Sequence, residues 1–387
     1  MKVPVLDLKA QYALLEGEVD AALKRVCSSG QFALGPEVER FEQEWAAYCE
    51  AAHCVALSNG TDALHLVLLA LGVGAGDEVI TTPLSFFATA EAILYVGARP
   101  VFADVEAGTA CLDPGSVEAL ITERTRALMP VHLYGHPADM DRLLGLARAQ
   151  ELAVIEDACQ AHGALYKGRK VGALGTAGAF SFYPTKNLGA YGDAGALVTN
   201  DSDLAARVRM LRNHGQNGPY RHAMVGWNCR MDGFQGAVLN VKLKHLDRWN
   251  ARRREIAERY THGLSRAPLA LPREAPYARS AWHQYVVRGE QRDALQEHLS
   301  KAGVATAIHY PVPMPRLEAM RVRHTEGGQA YGLDETPIPQ AEVWAERALS
   351  LPIYAEMTDE QVDYVVECVR GFFTGRAGAS QREAGRA

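Results

Sequence analysis

Short runs of apolar and β-branched residues, alternating with amphipathic stretches, constrain the first two hundred residues of this chain most strongly. The runs at Cys54 to Leu57, Glu78 to Thr82, Arg99 to Phe102, Ala127 to Val131 and Ala153 to Ile155 read as strands. Between them lie stretches of helical period, such as Thr61 to Leu71, closed by Gly72, and Met140 to Gln150. Strands alternating with helices predict an α/β fold whose mainly parallel sheet is covered on both faces. Two amphipathic helices precede it. Leu15, Val19, Ala22, Leu23 and Val26 recur at helical spacing before Gly30, and Val38, Phe41, Trp45 and Tyr48 do so after Gly35-Pro36. Gly178 to Tyr183 and Ala194 to Thr199 read as two further strands, and the Gly-rich link Lys186 to Gly192 predicts a hairpin-like connection between them.

After Val238 the character changes. A charged helical stretch, Lys242 to His262, carries Arg252-Arg253-Arg254 and reads as a connecting helix with a solvated face that accounts for the arginines. Beyond it, His283 to Val287 (strand), Gln291 to Ala302 (helix) and Val304 to His309 (strand) form a smaller α+β unit. The expected organisation is a large domain over 1–250 and a small C-terminal domain over 251–373. The tail, 374–387, has no large apolar residue to bury and is expected to be disordered.

Composition narrows the functional classes. The 387 residues suffice for two or three domains and a cleft between them. Lys and Arg total 40 against 46 Asp and Glu, a formal charge of −6, which argues against general attraction to nucleic acid or anionic membrane. An anionic substrate therefore needs locally placed positive groups. The seven cysteines are widely spaced, with no CxxC pair and no pattern for a metal, and suit a reducing cytoplasm. The opening Met1-Lys2-Val3-Pro4 leads into charged residues without an apolar signal core, and no window approaches the roughly 18 apolar residues of a membrane span.

Three segments carry chemistry together. Ser58-Asn59-Gly60-Thr61-Asp62 sits at a strand-to-helix junction, where unpaired amides can hold a phosphate, although in isolation an ordinary N-cap explains it better. Glu156-Asp157 places an acid at the C-terminal end of a buried parallel strand. Ser181-Phe182-Tyr183-Pro184-Thr185-Lys186-Asn187 places a lysine just past another. Pyridoxal phosphate requires a lysine amine for a Schiff base, a carboxylate for its pyridine nitrogen and a phosphate site, and the three segments supply them in order. The glycines of Gly72 to Gly76 follow a helix and precede a strand, the reverse of a dinucleotide loop, so a nicotinamide enzyme is disfavoured.

The motifs LDLKAQY, SNGTDAL, EDACQAHGA, FSFYPTKNLGAYGDAG, GWNCRM and IHYPVP resemble the DegT/StrS-type sugar aminotransferases, of the aspartate aminotransferase (fold type I) superfamily, from Val3 to about Gly371. The resemblance implies that Lys186 forms the Schiff base, Asp157 pairs with the pyridine nitrogen, and Gln160 approaches the phenolic oxygen. It further implies that Ser181, Gly60 and Thr61 bind the phosphate and that Phe86 stacks on the ring. A homodimer with shared sites follows, with Asn228 reaching the neighbouring subunit's phosphate, while Tyr183, Arg230, His309 and Tyr310 meet a nucleotide-linked sugar. His162 and His214 read as structural, and Pro315 stands where many members carry a histidine. The implied reaction is ping-pong, from L-glutamate to a keto group. VPVLDLKAQY and the His-Tyr pair of IHYP resemble members acting at C3 more than those acting at C4. A non-catalytic regulatory protein on the same fold is the rival from another class, and retention of Lys186, Asp157 and Gln160 argues against it.

Overall fold

The computed structural model describes residues 1–320 and 336–375. The tail expected to be disordered lies outside the described residues from position 376 onward. Seven strands form the main sheet, in the order His53–Leu57, Gly195–Thr199, Ala177–Ser181, Ala153–Asp157, Thr125–Met129, Glu78–Thr81 and Arg99–Phe102. Gly195–Thr199 runs antiparallel to both its neighbours, and every other neighbouring pair is parallel. The strand pair joined through Lys186 is thus antiparallel, as its Gly-rich link predicted.

Alternation along each strand fills two cores. Val55, Leu57, Ile155 and Ala179 point to one side, where they meet helices Gly60–Ala70 and Ser202–Leu211. Cys54, Ala56, Val154 and Phe180 point to the other and meet Pro36–Tyr48 and Met140–Ala149. Burial on both faces explains why these strands read as unbroken apolar runs.

A third core gathers the C-terminal part. Strands Tyr285–Arg288 and Ala348–Leu351 pair antiparallel, covered by helices Arg292–Lys301 and Asp359–Thr374. Val3 joins this core from the far end of the chain and bridges Val304. Helix Leu246–Leu264 runs through position 250, giving Trp249 to one core and Ile256, Tyr260 and Leu264 to another.

Three expectations need correction. Val304 to His309 is not a strand: it makes single bridges to Val3 and Ser350, and Ala348–Leu351 takes the ladder position beside Tyr285–Arg288. The stretch from Lys242 to His262 is interrupted at Lys244 and His245, between helices Gly233–Leu243 and Leu246–Leu264. The arginine run is not a uniformly solvated face. Arg253 is only 5% exposed, and its Nη1 donates to the carbonyls of Ile353 (2.7 Å), Trp282 (3.3 Å) and His283 (3.4 Å). A guanidinium offers several donors in a fixed fork, so it can clasp chain ends that present carbonyls and no amides.

Candidate active site

A cavity of about 590 Å³ opens at the C-terminal edge of the parallel strands, where the connecting loops leave a crevice. One wall is the start of helix Gly60–Ala70. Asn59 caps that helix: Oδ1 accepts from Asp62 N (2.8 Å) and Nδ2 donates to Asp62 Oδ2 (2.8 Å), while the Ser58 hydroxyl donates to the same carboxylate oxygen. Asp62 is consumed by the cap. The amides of Gly60 and Thr61 have no acceptor among the described residues, as first-turn amides lack an intrahelical partner. A Cβ at Gly60 would lie 2.8 Å from both Cys159 Sγ and Ser181 Cβ. Glycine is therefore what lets the helix begin against the neighbouring strand ends, bringing its amides beside Ser181.

Asp157 closes the strand Ala153–Asp157 and is buried. Its Oδ2 accepts from the Thr89 hydroxyl (2.7 Å) and its Oδ1 from Cys159 N (3.2 Å). Because the single Thr89 proton goes to Asp157, the Ser85 hydroxyl donates to Thr89 Oγ1 (2.9 Å). Two donors thus hold the carboxylate directly, with Ser85 behind one of them, and fix its orientation.

Lys186 lies beyond the end of Ala177–Ser181, where its N–H closes a turn on Tyr183 O (2.8 Å). Its Nζ makes no hydrogen bond among the described residues. Burial pulls the ammonium below the usual lysine range, opposed by the neighbouring Cys159 and Asp157. The result favours a free, reactive amine.

The opposite wall holds Gln160, Tyr310, His309 and Phe86. Gln160 Oε1 accepts from Tyr134 N (2.8 Å), so its amide donates to the Tyr310 hydroxyl (3.0 Å). Phe86 is 60% exposed, with its ring 6.3 Å from that of Tyr310. His309 Nδ1 lies 2.8 Å from Ser350 Oγ, and burial, then the charge of Lys186, pushes its pKa down to about 4. Tyr183, Thr185 and Asp193 form the mouth.

Ten of the twelve residues expected at the site therefore line one cavity: Gly60, Thr61, Phe86, Asp157, Gln160, Ser181, Tyr183, Lys186, His309 and Tyr310. Asn228 and Arg230 do not. Asn228 is exposed and its backbone bridges Asn213, whose side-chain oxygen accepts from Arg230 Nη1 (3.2 Å). Against these observations, residues 14–370 match the model of the DegT/DnrJ/EryC1/StrS aminotransferase family. The chain belongs to this family.

Among its relatives in the DegT/DnrJ/EryC1/StrS family, the chain is 50% identical over 372 residues to the erythromycin biosynthesis sensory transduction protein EryC1 of Saccharopolyspora erythraea, covering 96% of this chain and 99% of that one. It is 49% identical over 370 residues to the dTDP-3-amino-3,4,6-trideoxy-alpha-D-glucose transaminase of Streptomyces venezuelae, covering 95% and 96%. The solved structure of S. venezuelae DesV in complex with a ketimine intermediate superposes with a TM-score of 0.91 at 48% identity, covering 96% and 98%.

Several members of this site escaped sequence reasoning. Thr89, on helix Ala88–Tyr95, reaches Asp157, and Ser85, in the loop before it, backs Thr89; both flank Phe86 in the segment TTPLSFFAT, which sequence reasoning reads for its aromatic alone. His283 lines the cavity from a stretch read only as a strand, and Asn187, beside Lys186, is buried in a polar cluster. The signal for Asn187 was its place next to Lys186; His283 had none. His162 packs as a structural residue, as expected: it lies against Trp45, Phe180 and Phe182 with ring centroids 5.5–5.9 Å apart, and neither of its nitrogens has a hydrogen-bond partner among the described residues. Pro315 is buried in the turn Met314–Arg316, which docks on the segment leading to Phe86 through Met314 N to Pro83 O (2.7 Å), and does not line the cavity.

Proposed function

We propose that this protein is a pyridoxal 5′-phosphate-dependent aminotransferase that moves an amino group from L-glutamate to the C3 keto group of a nucleotide-linked sugar. The observation that carries the reading is the convergence of an unpaired Lys186 amine, the doubly hydrogen-bonded Asp157 carboxylate and the free amides of Gly60 and Thr61 in one cavity. A base, an anion and an anion receptor are the donor set that this cofactor needs.

Lys186 would anchor the cofactor, Asp157 would hold its pyridine nitrogen, Gln160 its phenolic oxygen, and Gly60, Thr61 and Ser181 its phosphate. Phe86 would cover the ring. The cofactor supplies an electron sink and carries the amino group between the two substrates. The chain's own part in the chemistry falls to Lys186 Nζ, which takes a proton from one carbon and returns it to another. Its lowered pKa suits that task, since a base works best when its pKa is near the working pH.

Asn228 and Arg230 lie apart from the cavity of their own chain, which fits a homodimer in which each subunit lends them to its neighbour's site. Arg230, His309, Tyr310 and Tyr183 would meet the sugar nucleotide, the guanidinium suiting a diphosphate. With a large unit over 1–250 and a small one over 251–373, the cavity would lie where the two meet, since His283, Gln284, His309 and Tyr310 line it from the second. No helix among the described residues is long and apolar enough to cross a membrane, and the reading places the enzyme in the cytoplasm.

The C3 assignment draws on the relative named for a 3-amino sugar. A regulatory role is favoured by one observation, the name of the relative called a sensory transduction protein. Purified protein mixed with L-glutamate and then with a panel of 3-keto and 4-keto nucleotide sugars separates these readings. Amination of 3-keto substrates is expected. Conversion of 4-keto substrates alone overturns the regiochemistry, and absence of any half-reaction with glutamate points to the regulatory role.

A further inference from the structure

The surrounding bonds dictate the protonation pattern of His283, a cavity residue. Its backbone is clamped from two sides. Arg253 donates to the carbonyls of Trp282 and His283, and Ala281 N donates to Gly135 O at 3.0 Å. Gly135 has φ +92°, and a Cβ there would lie 2.9 Å from His283 N, so the contact exists only with glycine.

The imidazole is held as firmly. Asn187 is 2% exposed, and its Nδ2 donates to Asn250 Oδ1 (2.9 Å) and Ala281 O (2.8 Å). Asn250 Nδ2 in turn donates to His162 O (2.8 Å). With both amide protons committed, Asn187 Oδ1 is an acceptor, and it lies 3.1 Å from His283 Nδ1. Nδ1 therefore carries the proton, and Nε2 keeps its lone pair. No hydrogen bond to Nε2 exists among the described residues, and the ring lines the cavity that contains Lys186. Asn187 follows Lys186 directly, so the network that orients the ring also anchors the lysine turn.

Burial and the surrounding positive charges together disfavour a proton on both nitrogens of the ring. Burial lowers its pKa first, followed by the positive charge of Lys186, then Arg253 and the neighbouring His309 and His162. On the lysine side, Asp157 and Cys159 face the ammonium. His283 thus offers an acceptor nitrogen in the cavity that holds Lys186, whose amine makes no hydrogen bond among the described residues.

We propose that His283 is a positioning residue for Lys186: its Nε2 lone pair, exposed by the Nδ1–H bond to Asn187, accepts a hydrogen bond from the free Lys186 amine and aims that amine during proton transfer. The proposal rests on the aminotransferase reading of the cavity. It forms no covalent bond, and the proton stays on Nζ until the substrate carbon takes it.

The test compares wild type with His283→Gln, which keeps an acceptor near the Nε2 position, and His283→Phe, which keeps the ring and loses both nitrogens. Acetic anhydride trace-labelling of Lys186 in cofactor-free protein, read by mass spectrometry against pH, reports the ammonium directly. Loss of the acceptor destabilises the ammonium, so the labelling midpoint of His283→Phe is expected about 1 pH unit lower than wild type, with His283→Gln close to wild type. In loaded enzyme, the single-turnover rate with glutamate is expected to fall about 10- to 100-fold in His283→Phe with little change in KM, and to recover to within about tenfold of wild type in His283→Gln.

An unchanged labelling midpoint in His283→Phe overturns the proposal, as does a His283→Gln enzyme as slow as His283→Phe. Should the phenylalanine variant fail to fold, the ¹⁵N spectrum of histidine-labelled wild type carries the test: an unprotonated Nε2 at neutral pH supports the proposal and a protonated one sinks it. The labelling and ¹⁵N readouts need no cofactor. A wild type that transfers no amino group from glutamate would therefore refute the transaminase reading while these readouts still judged His283.

Discussion

The Thr89 hydroxyl donates a 2.7 Å hydrogen bond to Asp157 Oδ2, across 68 residues of sequence. The bond joins helix Ala88–Tyr95 to the end of the strand Ala153–Asp157 and leaves the carboxylate little freedom to rotate. Replacing Thr89 with Val keeps the shape and removes the donor. A hydrogen bond to a charged group contributes about 1.5–3 kcal/mol, so cofactor affinity is expected to fall roughly 10- to 100-fold in Thr89→Val. Spectrophotometric titration of cofactor-free protein measures it, and unchanged affinity would show that Asp157 needs no help from Thr89.

Lys186→Ala is expected to abolish turnover and the visible absorbance of lysine-bound cofactor, because no other amine lines the cavity among the described residues. A variant that kept the wild-type rate and spectrum would remove Lys186 from the reaction.

Next to Asp157, Glu156 is fully buried and accepts from the amides of Gly172, Leu174 and Gly175, each at 2.7 Å, with His132 Nε2 at 2.9 Å. His132 Nδ1 accepts from Ala138 N (3.1 Å), so Nε2 bears the proton and donates to Glu156. Glu156→Gln turns one acceptor into a donor facing donors and is expected to cost about 2 kcal/mol of stability. Urea unfolding of the cofactor-free protein checks this, and a midpoint within error of wild type would contradict it.

Buried His136 and His162 and the partly buried His309 contribute to an acid limit. Burial lowers the pKa of His162 to about 3 and of His136 and His309 to about 4. Each binds its proton more readily unfolded, near the ordinary value of about 6.5, so stability is complete above that pH and is lost as pH falls toward the folded values. The slope approaches about 1.4 kcal/mol per pH unit for each histidine that titrates fully in this window. His162→Leu removes one contributor and is expected to flatten the decline between pH 6.5 and 4.5. An unaltered pH profile of the unfolding midpoint would count against this account of the aromatic pocket.

Arg253→Met keeps the length of the side chain and leaves the carbonyls of Ile353, Trp282 and His283 without their donor. The expected loss is about 3 kcal/mol, read by thermal or chemical unfolding, because buried carbonyls stripped of a partner recover little from methionine packing. A neutral substitution would mean that water reaches these carbonyls.

Legibility in the sequence followed the range of the interaction. The Asn59 cap and the turn that ends in Lys186 are made within a few residues, and both were readable. Val304 to His309 looked like a strand because its composition suits one, but it meets Ala348–Leu351 only through the single bridge of Ala307 to Ser350, while that strand's ladder is made with Tyr285–Arg288. Arg253 looked solvated because two of its sequence neighbours are arginines as well; which face of the helix meets Ile353 depends on a segment one hundred residues away. Asn228 and Arg230 were named from motif alone, and a single chain does not bring them to the cavity.

By itself, then, the sequence determined the alternation that makes a parallel sheet, the capped helix start with its free amides, and the acid and lysine at neighbouring strand ends. These depend on periodicity and on contacts a few residues apart, which composition and spacing encode directly. The tertiary structure decided how those groups are held: Thr89 on Asp157, Gln160 on Tyr310, and the Asn187 network that leaves His283 Nε2 open. Such bonds form only when distant segments pack together, and the direction of each depends on which protons its neighbours have already claimed.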